Sequence, residues 1–152
     1  MENKTAIAKT LLTALSRVEQ FLAAIDASII NQAQYSYRHY ASTQKVMEEI
    51  LDSIHKKKLL LALQIKTERL LEAAPKNYSR VLILSYVHQL SAGKIADVIG
   101  KTERTVFRYL RDGLKWFVDN LDSVIDNYDI ACIMTEEPWL RNIYNRLQEN
   151  IS

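Results

Sequence analysis

Apolar residues recur at three- and four-residue steps along most of the chain, with polar residues between them, which is a helical and not a strand period. The first run predicts a helix from about Asn3 to Ile30. Its Ala8, Leu11, Leu15, Val18, Leu22, Ile25 and Ile29 form a heptad seam suited to packing along another helix, in the same chain or in a second copy. Residues 32–44 carry Tyr35, Tyr37, Arg38, His39 and Tyr40 with weak periodicity, compatible with a loop or with a helix whose tyrosines edge the core. A further helix is expected from about Thr43 to Ala74, with Met47, Ile50, Leu51, Ile54, Leu61 and Ile65 on its apolar stripe. The run His55-Lys56-Lys57-Lys58 interrupts that stripe and marks an expected break or bend. Pro75 disfavours the α conformation in the residue before it, so 74–77 is the expected junction with the next segment.

Three helices are expected between residues 78 and 117. The first runs from about Tyr78 to Gln89 and turns Val81, Leu84 and Val87 to a core. Ser91 can cap the second, whose inward residues are Ile95, Ala96 and Ile99, and Gly100 stands where a left-handed residue ends it without steric cost. Thr102 can cap the third, with Val106, Leu110, Leu114 and Phe117 inward. Helix, four-residue turn with glycine, helix is a helix-turn-helix layout. Beyond it, Phe117, Leu121, Val124 and Tyr128 continue a helical spacing. A last helix is expected after Thr135, with Glu136, Glu137 and Pro138 in its opening turn and Leu140, Ile143, Tyr144, Leu147 and Ile151 on its apolar face. The chain thus divides into an N-terminal helical region (1–74), a helix-turn-helix (78–117) and an acidic tail (118–152).

Composition sharpens this picture. Three glycines and two prolines cannot supply the many turns of a sandwich or barrel, so the fold class is all-α. The single cysteine, Cys132, excludes an internal disulfide and a Cys-rich zinc site. Lys9, Arg17, Glu19 and Gln20 interrupt any signal-peptide core, and no stretch approaches the roughly 18–20 apolar residues of a membrane span, so a cytoplasmic protein is expected. Charge is segregated: residues 76–117 hold 8 Lys/Arg against 3 Asp/Glu, and residues 118–152 hold 2 against 7. A basic block beside an acidic one fits either a polyanion-binding face or segregation without a ligand.

The third helix of the central segment favours the polyanion. With its apolar stripe inward, the opposite face carries Glu103, Arg104, Phe107, Arg108, Arg111 and Lys115. Such a helix fits the major groove of double-stranded DNA and reaches base edges with residues near its N-terminus. Arg104 and Arg108, one turn apart, suit guanine O6 and N7; Glu103 suits cytosine N4 or simply the helix N-terminus. Lys94, Lys101, Thr102, Arg111 and Lys115 are expected at phosphates, which give affinity without sequence preference.

The residues Arg80-Val81-Leu82, Ser85-Tyr86-Val87, Leu90-Ser91, Lys94-Ile95-Ala96, Ile99-Gly100, Thr102, Thr105-Val106 and Gly113-Leu114 resemble the region 4 helix-turn-helix of sigma-70-type factors. The same pattern occurs in phage and prophage late-gene activators of the ArpU/RinA type. The resemblance covers about a quarter of the chain and implies promoter reading by the start of the third helix, here Glu103, Arg104 and Arg108. Phe107 departs from it, since that exposed position is commonly polar or basic. Gly113 replaces a more usual alanine, and no sigma region 2 is recognisable, so an activator or accessory regulator fits better than a complete sigma factor.

No other site competes. His39, His55 and His88 are far apart in sequence and outside any metal motif, and there is no phosphate-cradling glycine loop, GxSxG or carboxylate pair, so neither an enzyme nor a cofactor is expected. The tyrosines at 35, 37 and 40 suit packing better than base stacking, and Lys56–Lys58 suits a solvated face or secondary backbone contacts. The expected function is a DNA-binding transcription regulator of phage or mobile-element origin. The alternatives are a module that contacts RNA polymerase or another regulator without strong DNA binding, and a phage DNA-packaging or recombination subunit. A homodimer using residues 8–29 or 139–151 is compatible with the pattern.

Overall fold

The computed structural model describes residues 4–39, 43–124 and 138–151, all within helices or the short turns joining them. Helix α1 (Lys4–Leu15) lies at the centre of the molecule. Ala6, Ile7, Ala8, Thr10, Leu11, Leu12 and Ala14 are buried, so the helix is covered on several sides and not along one seam. The buried Thr10 hydroxyl donates to the Ala6 carbonyl at 2.7 Å, which removes the cost of an unpaired polar group.

The single helix expected over 3–30 is in fact two. Backbone bonds from Ser16 to Thr13 and from Arg17 to Ala14 tighten the chain. The Ser16 hydroxyl also donates to the Thr13 carbonyl at 2.7 Å, competing with the helical ladder. Helix α2 (Val18–His39) begins after this break, and residues 32–39, compatible with a loop by their pattern, are helical.

Helix α3 (Thr43–Ala73) returns along α2 as a hairpin. It runs unbroken through His55–Lys58, correcting the expected bend: Lys57 pairs with Asp26 of α2 at 2.6 Å, so the basic run lies along the hairpin and does not end it. Its expected stripe is also corrected. Met47, Leu51 and Ile65 are 57%, 60% and 46% exposed, whereas Val46, Leu60, Leu63, Thr67, Leu70 and Leu71 are buried. Most of that burial falls in the second half of α3, where the helix meets the body of the molecule.

Pro75 opens α4 (Lys76–Leu82), which passes into a π-helical turn over Ile83–Val87. Helices α5 (Ala92–Ile99), α6 (Glu103–Val124) and α7 (Pro138–Ile151) complete the chain. The expected cap at Thr135, with Glu136 and Glu137, and Cys132 fall outside the described residues. No helix among the described residues is long and apolar enough to cross a membrane.

Two apolar clusters organise these elements. The larger joins Ile7, Leu11 and Leu12 of α1 to Leu60, Leu63 and Leu70 of α3, Leu82 of α4, Phe117 and Leu121 of α6 and Leu140 of α7. The smaller joins Val81, Ile95, Ala96 and Val106, with Leu84, Leu90, Ile99, Tyr109 and Leu110 packed around them. Helix α6 belongs to both: Val106 anchors its beginning in the small core, and Phe117 and Leu121 anchor its later turns in the large one. At Gly113 it crosses α4 closely. A Cβ there would lie 3.0 Å from Tyr78 Cβ and 3.5 Å from Leu82, so the glycine that weakens an isolated helix permits this contact.

Candidate nucleic-acid interface

The helix-turn-helix is assembled by local chemistry at two turns, one before α5 and one between α5 and α6. The π-helical turn ends at Val87 with His88 as its cap, and Gln89 follows with a φ of 57°, a non-glycine residue in the left-handed region. The Leu90 amide then donates to the Leu84 carbonyl at 3.0 Å, closing the helix end. Ser91 adopts an extended conformation and its hydroxyl accepts from the Lys94 amide at 3.4 Å, capping α5. Gly100 takes φ 70° and ψ 35°, and the amides of Gly100 and Lys101 both reach the Ala96 carbonyl. Thr102 caps α6: its hydroxyl accepts from the Thr105 amide at 3.2 Å and lies 3.0 Å from the Thr105 hydroxyl. The turn between α5 and α6 is Gly100–Thr102, three residues and not four.

Inside, Ile95 and Val106 are fully buried and Ala96 nearly so, which brings α5 and α6 together at a small side chain. Tyr86 packs against the larger cluster instead, where burial raises its hydroxyl above the ordinary tyrosine range.

Outside, every residue expected to meet DNA is exposed: Glu103, Arg104 and Arg108 at the start of α6, Arg111 and Lys115 further along it, and Lys94, Lys101 and Thr102 on or beside α5. Arg104, Arg108, Arg111 and Lys115 follow one another at three- and four-residue steps, so the helix gathers four cations on one face. Arg111 lies 3.4 Å from Asp112, but with its side chain 78% exposed this pairing is weak. A shallow hollow of about 460 Å³ is lined by Arg104, Thr105, Phe107, Arg108 and Arg111.

Three features of the interface escaped sequence reasoning. The Glu103 carboxylate folds over the first turn of α5, where a Cβ on Gly93 would lie 3.0 Å from its Oε1. Its charge is thereby held near the positive ends of two helices. The Arg108 guanidinium lies 5.4 Å from the centre of the Tyr109 ring, and that ring meets Tyr78 edge-on at 6.2 Å and 62°. Adjacent Arg-Tyr at the flank of an apolar stripe was the available signal for this support. Gln89 is the third: Nε2 reaches Ser16 Oγ at 3.5 Å, linking the helix-turn-helix to the break between α1 and α2.

Among the described residues, no group of three or more His, Cys, Asp and Glu side chains is placed to hold a metal ion. The arrangement is a cationic helix face backed by the two apolar clusters. Comparison with curated proteins finds no match to this chain. Comparison with solved structures finds none either. Residues 65–117 match the family described as Sigma-70, region 4. The matched segment begins inside α3, whose Thr67, Leu70 and Leu71 are buried, and ends at Phe117. Residues 65–117 are thus a sigma-70 region 4-like helix-turn-helix within an all-helical chain.

Proposed function

We propose that this chain is a transcription regulator that reads double-stranded DNA by laying α6 in the major groove. Arg104 and Arg108 contact guanines, Glu103 contributes at a neighbouring cytosine, and Lys94, Lys101, Thr102, Arg111 and Lys115 engage phosphates. The observation that carries this reading is the two-sided character of α6, with four exposed cations opposite an apolar stripe anchored in two cores. The residue pattern shared with phage and prophage late-gene activators supports a phage or mobile-element regulator, working beside RNA polymerase.

Recognition as a homodimer belongs to the same reading, since helix-turn-helix regulators commonly occupy two half-sites about one DNA turn apart. The monomer's own core takes up α1 and Leu140, which leaves the α2 part of residues 8–29 and the outer face of α7 for a partner copy. Exposed apolar residues on the α2–α3 hairpin, including Ile30, Met47 and Leu51, are available for it.

Selection of bound sites from random-sequence duplex DNA by the purified chain tests the proposal. A defined motif is expected, present twice in inverted orientation if the dimer reads it. Four lysines and arginines at phosphates predict that log affinity falls against log salt with a slope of about −3.6. Recovery of no motif, together with binding insensitive to salt, contradicts the proposal.

A further inference from the structure

We infer that Phe107 reads the C5 methyl group of a thymine in the major groove, an assignment that rests on the DNA-binding reading above. Phe107 is 59% exposed, turned about 100° round α6 from the buried Val106, and belongs to neither apolar cluster. Arg104 precedes it by three residues, Arg108 follows directly and Arg111 lies four residues on, so the ring sits within a stripe of guanidinium groups. All four line the hollow on the outer face of the helix.

The surroundings of the ring select its partner. An apolar protein groove that covered Phe107 would also strip water from three guanidinium groups without supplying counter-charge. Duplex DNA supplies phosphates and guanine edges for the arginines, and its major groove presents one apolar group, the thymine methyl. The minor groove offers none. Along the helix axis Phe107 is displaced from Arg104 by about 4.5 Å and from Arg108 by about 1.5 Å. With base pairs about 3.4 Å apart, the thymine lies within about one or two pairs of a guanine read by these arginines.

The test uses the full chain and the duplex recovered by selection, with each thymine replaced singly by uracil, which keeps the base pair and removes only the methyl. One or two replacements are expected to weaken wild-type binding about fourfold, the loss of one buried methyl at ~0.8 kcal/mol. The same replacements are expected to have no effect on Phe107→Ala, while Phe107→Leu, still apolar, retains part of the sensitivity. Because Phe107 is exposed, circular dichroism of all three proteins should coincide. Tight binding without any uracil-sensitive thymine overturns the methyl contact and leaves the DNA reading intact. Sensitivity that persists in Phe107→Ala gives the methyl to another residue and overturns it as well. If Phe107→Ala binds the duplex as wild type does but no longer retains RNA polymerase subunits, the ring belongs to a protein interface. Recovery of no duplex at all removes the reading on which the inference stands.

Discussion

Replacing Arg104 and Arg108 with alanine is expected to weaken binding to the selected duplex by about 1–3 kcal/mol for each residue and to flatten the preference among sites. At about 1.4 kcal/mol per factor of ten, one substitution costs roughly 5- to 150-fold in affinity. Both side chains are exposed at the start of α6, so neither supports a core. The Arg108 guanidinium lies 5.4 Å from the centre of the Tyr109 ring, and losing that contact costs the fold about 0.5–1 kcal/mol at an exposed site. Affinity should therefore fall far more than stability. Lys94→Ala or Lys115→Ala should behave differently, weakening all duplexes alike and making the salt slope less steep by about one. Competition binding against cognate and scrambled duplexes separates the two patterns. Equal losses on both duplexes for the arginine variants would place Arg104 and Arg108 at phosphates and not at bases.

The second large effect is structural. Phe117→Ala is expected to destabilise the protein by about 3–5 kcal/mol, the range for removing a buried aromatic side chain. Phe117 is fully buried where α6 meets the N-terminal helices, in the cluster that also holds Leu12, Leu60, Leu82, Leu121 and Leu140. A domain of ordinary stability has about 5–15 kcal/mol in total, so this one truncation removes a large part of it. In urea denaturation followed by circular dichroism, the whole transition should move to lower denaturant as one step. An early step confined to part of the helical signal, with the rest unchanged, would show that the N-terminal helices and α6 do not fold as a unit. A loss below about 1 kcal/mol would contradict the packing around Phe117.

The parts of the fold that were legible in the sequence are those decided by chemistry within a few residues. Ser91, Gly100 and Thr102 mark helix ends because a hydroxyl acceptor or a residue free of Cβ is needed there, and each occupies the expected place. The cationic face of α6 was legible for a similar reason: Arg104, Arg108, Arg111 and Lys115 share a stripe by spacing alone. What could not be read was burial set by distant parts of the chain. Helix α1 is enclosed by α3, α6 and α7, so its heptad pattern gave one contact direction where there are several. In α3 the first half of the expected stripe lies before the turns that enter the large core, leaving Met47 and Leu51 exposed, and in the second half Leu60, Leu63 and Thr67 are buried in place of Ile65. The left-handed Gln89 had no glycine to announce it, and Gly113 reads as a weak helical position until Tyr78 is placed against it.

Helix α6 gains its precision from being held at two points. Val106 fixes the turns that carry Arg104 and Arg108 within the small core, and Phe117 fixes the later turns within the large one. A helix so clamped can present its outer face without reorganising, which suits recognition of a rigid groove.

The groove itself can be identified by base analogues in the selected duplex. Replacing a contacted guanine with 7-deazaguanine removes the N7 acceptor from the major groove; replacing it with inosine removes the N2 amino group from the minor groove. If α6 docks as proposed, 7-deazaguanine weakens binding by wild type, not by Arg104→Ala or Arg108→Ala at the guanine that residue reads, and inosine has little effect. Loss of binding with inosine, and none with 7-deazaguanine at any guanine, would contradict major-groove docking of α6.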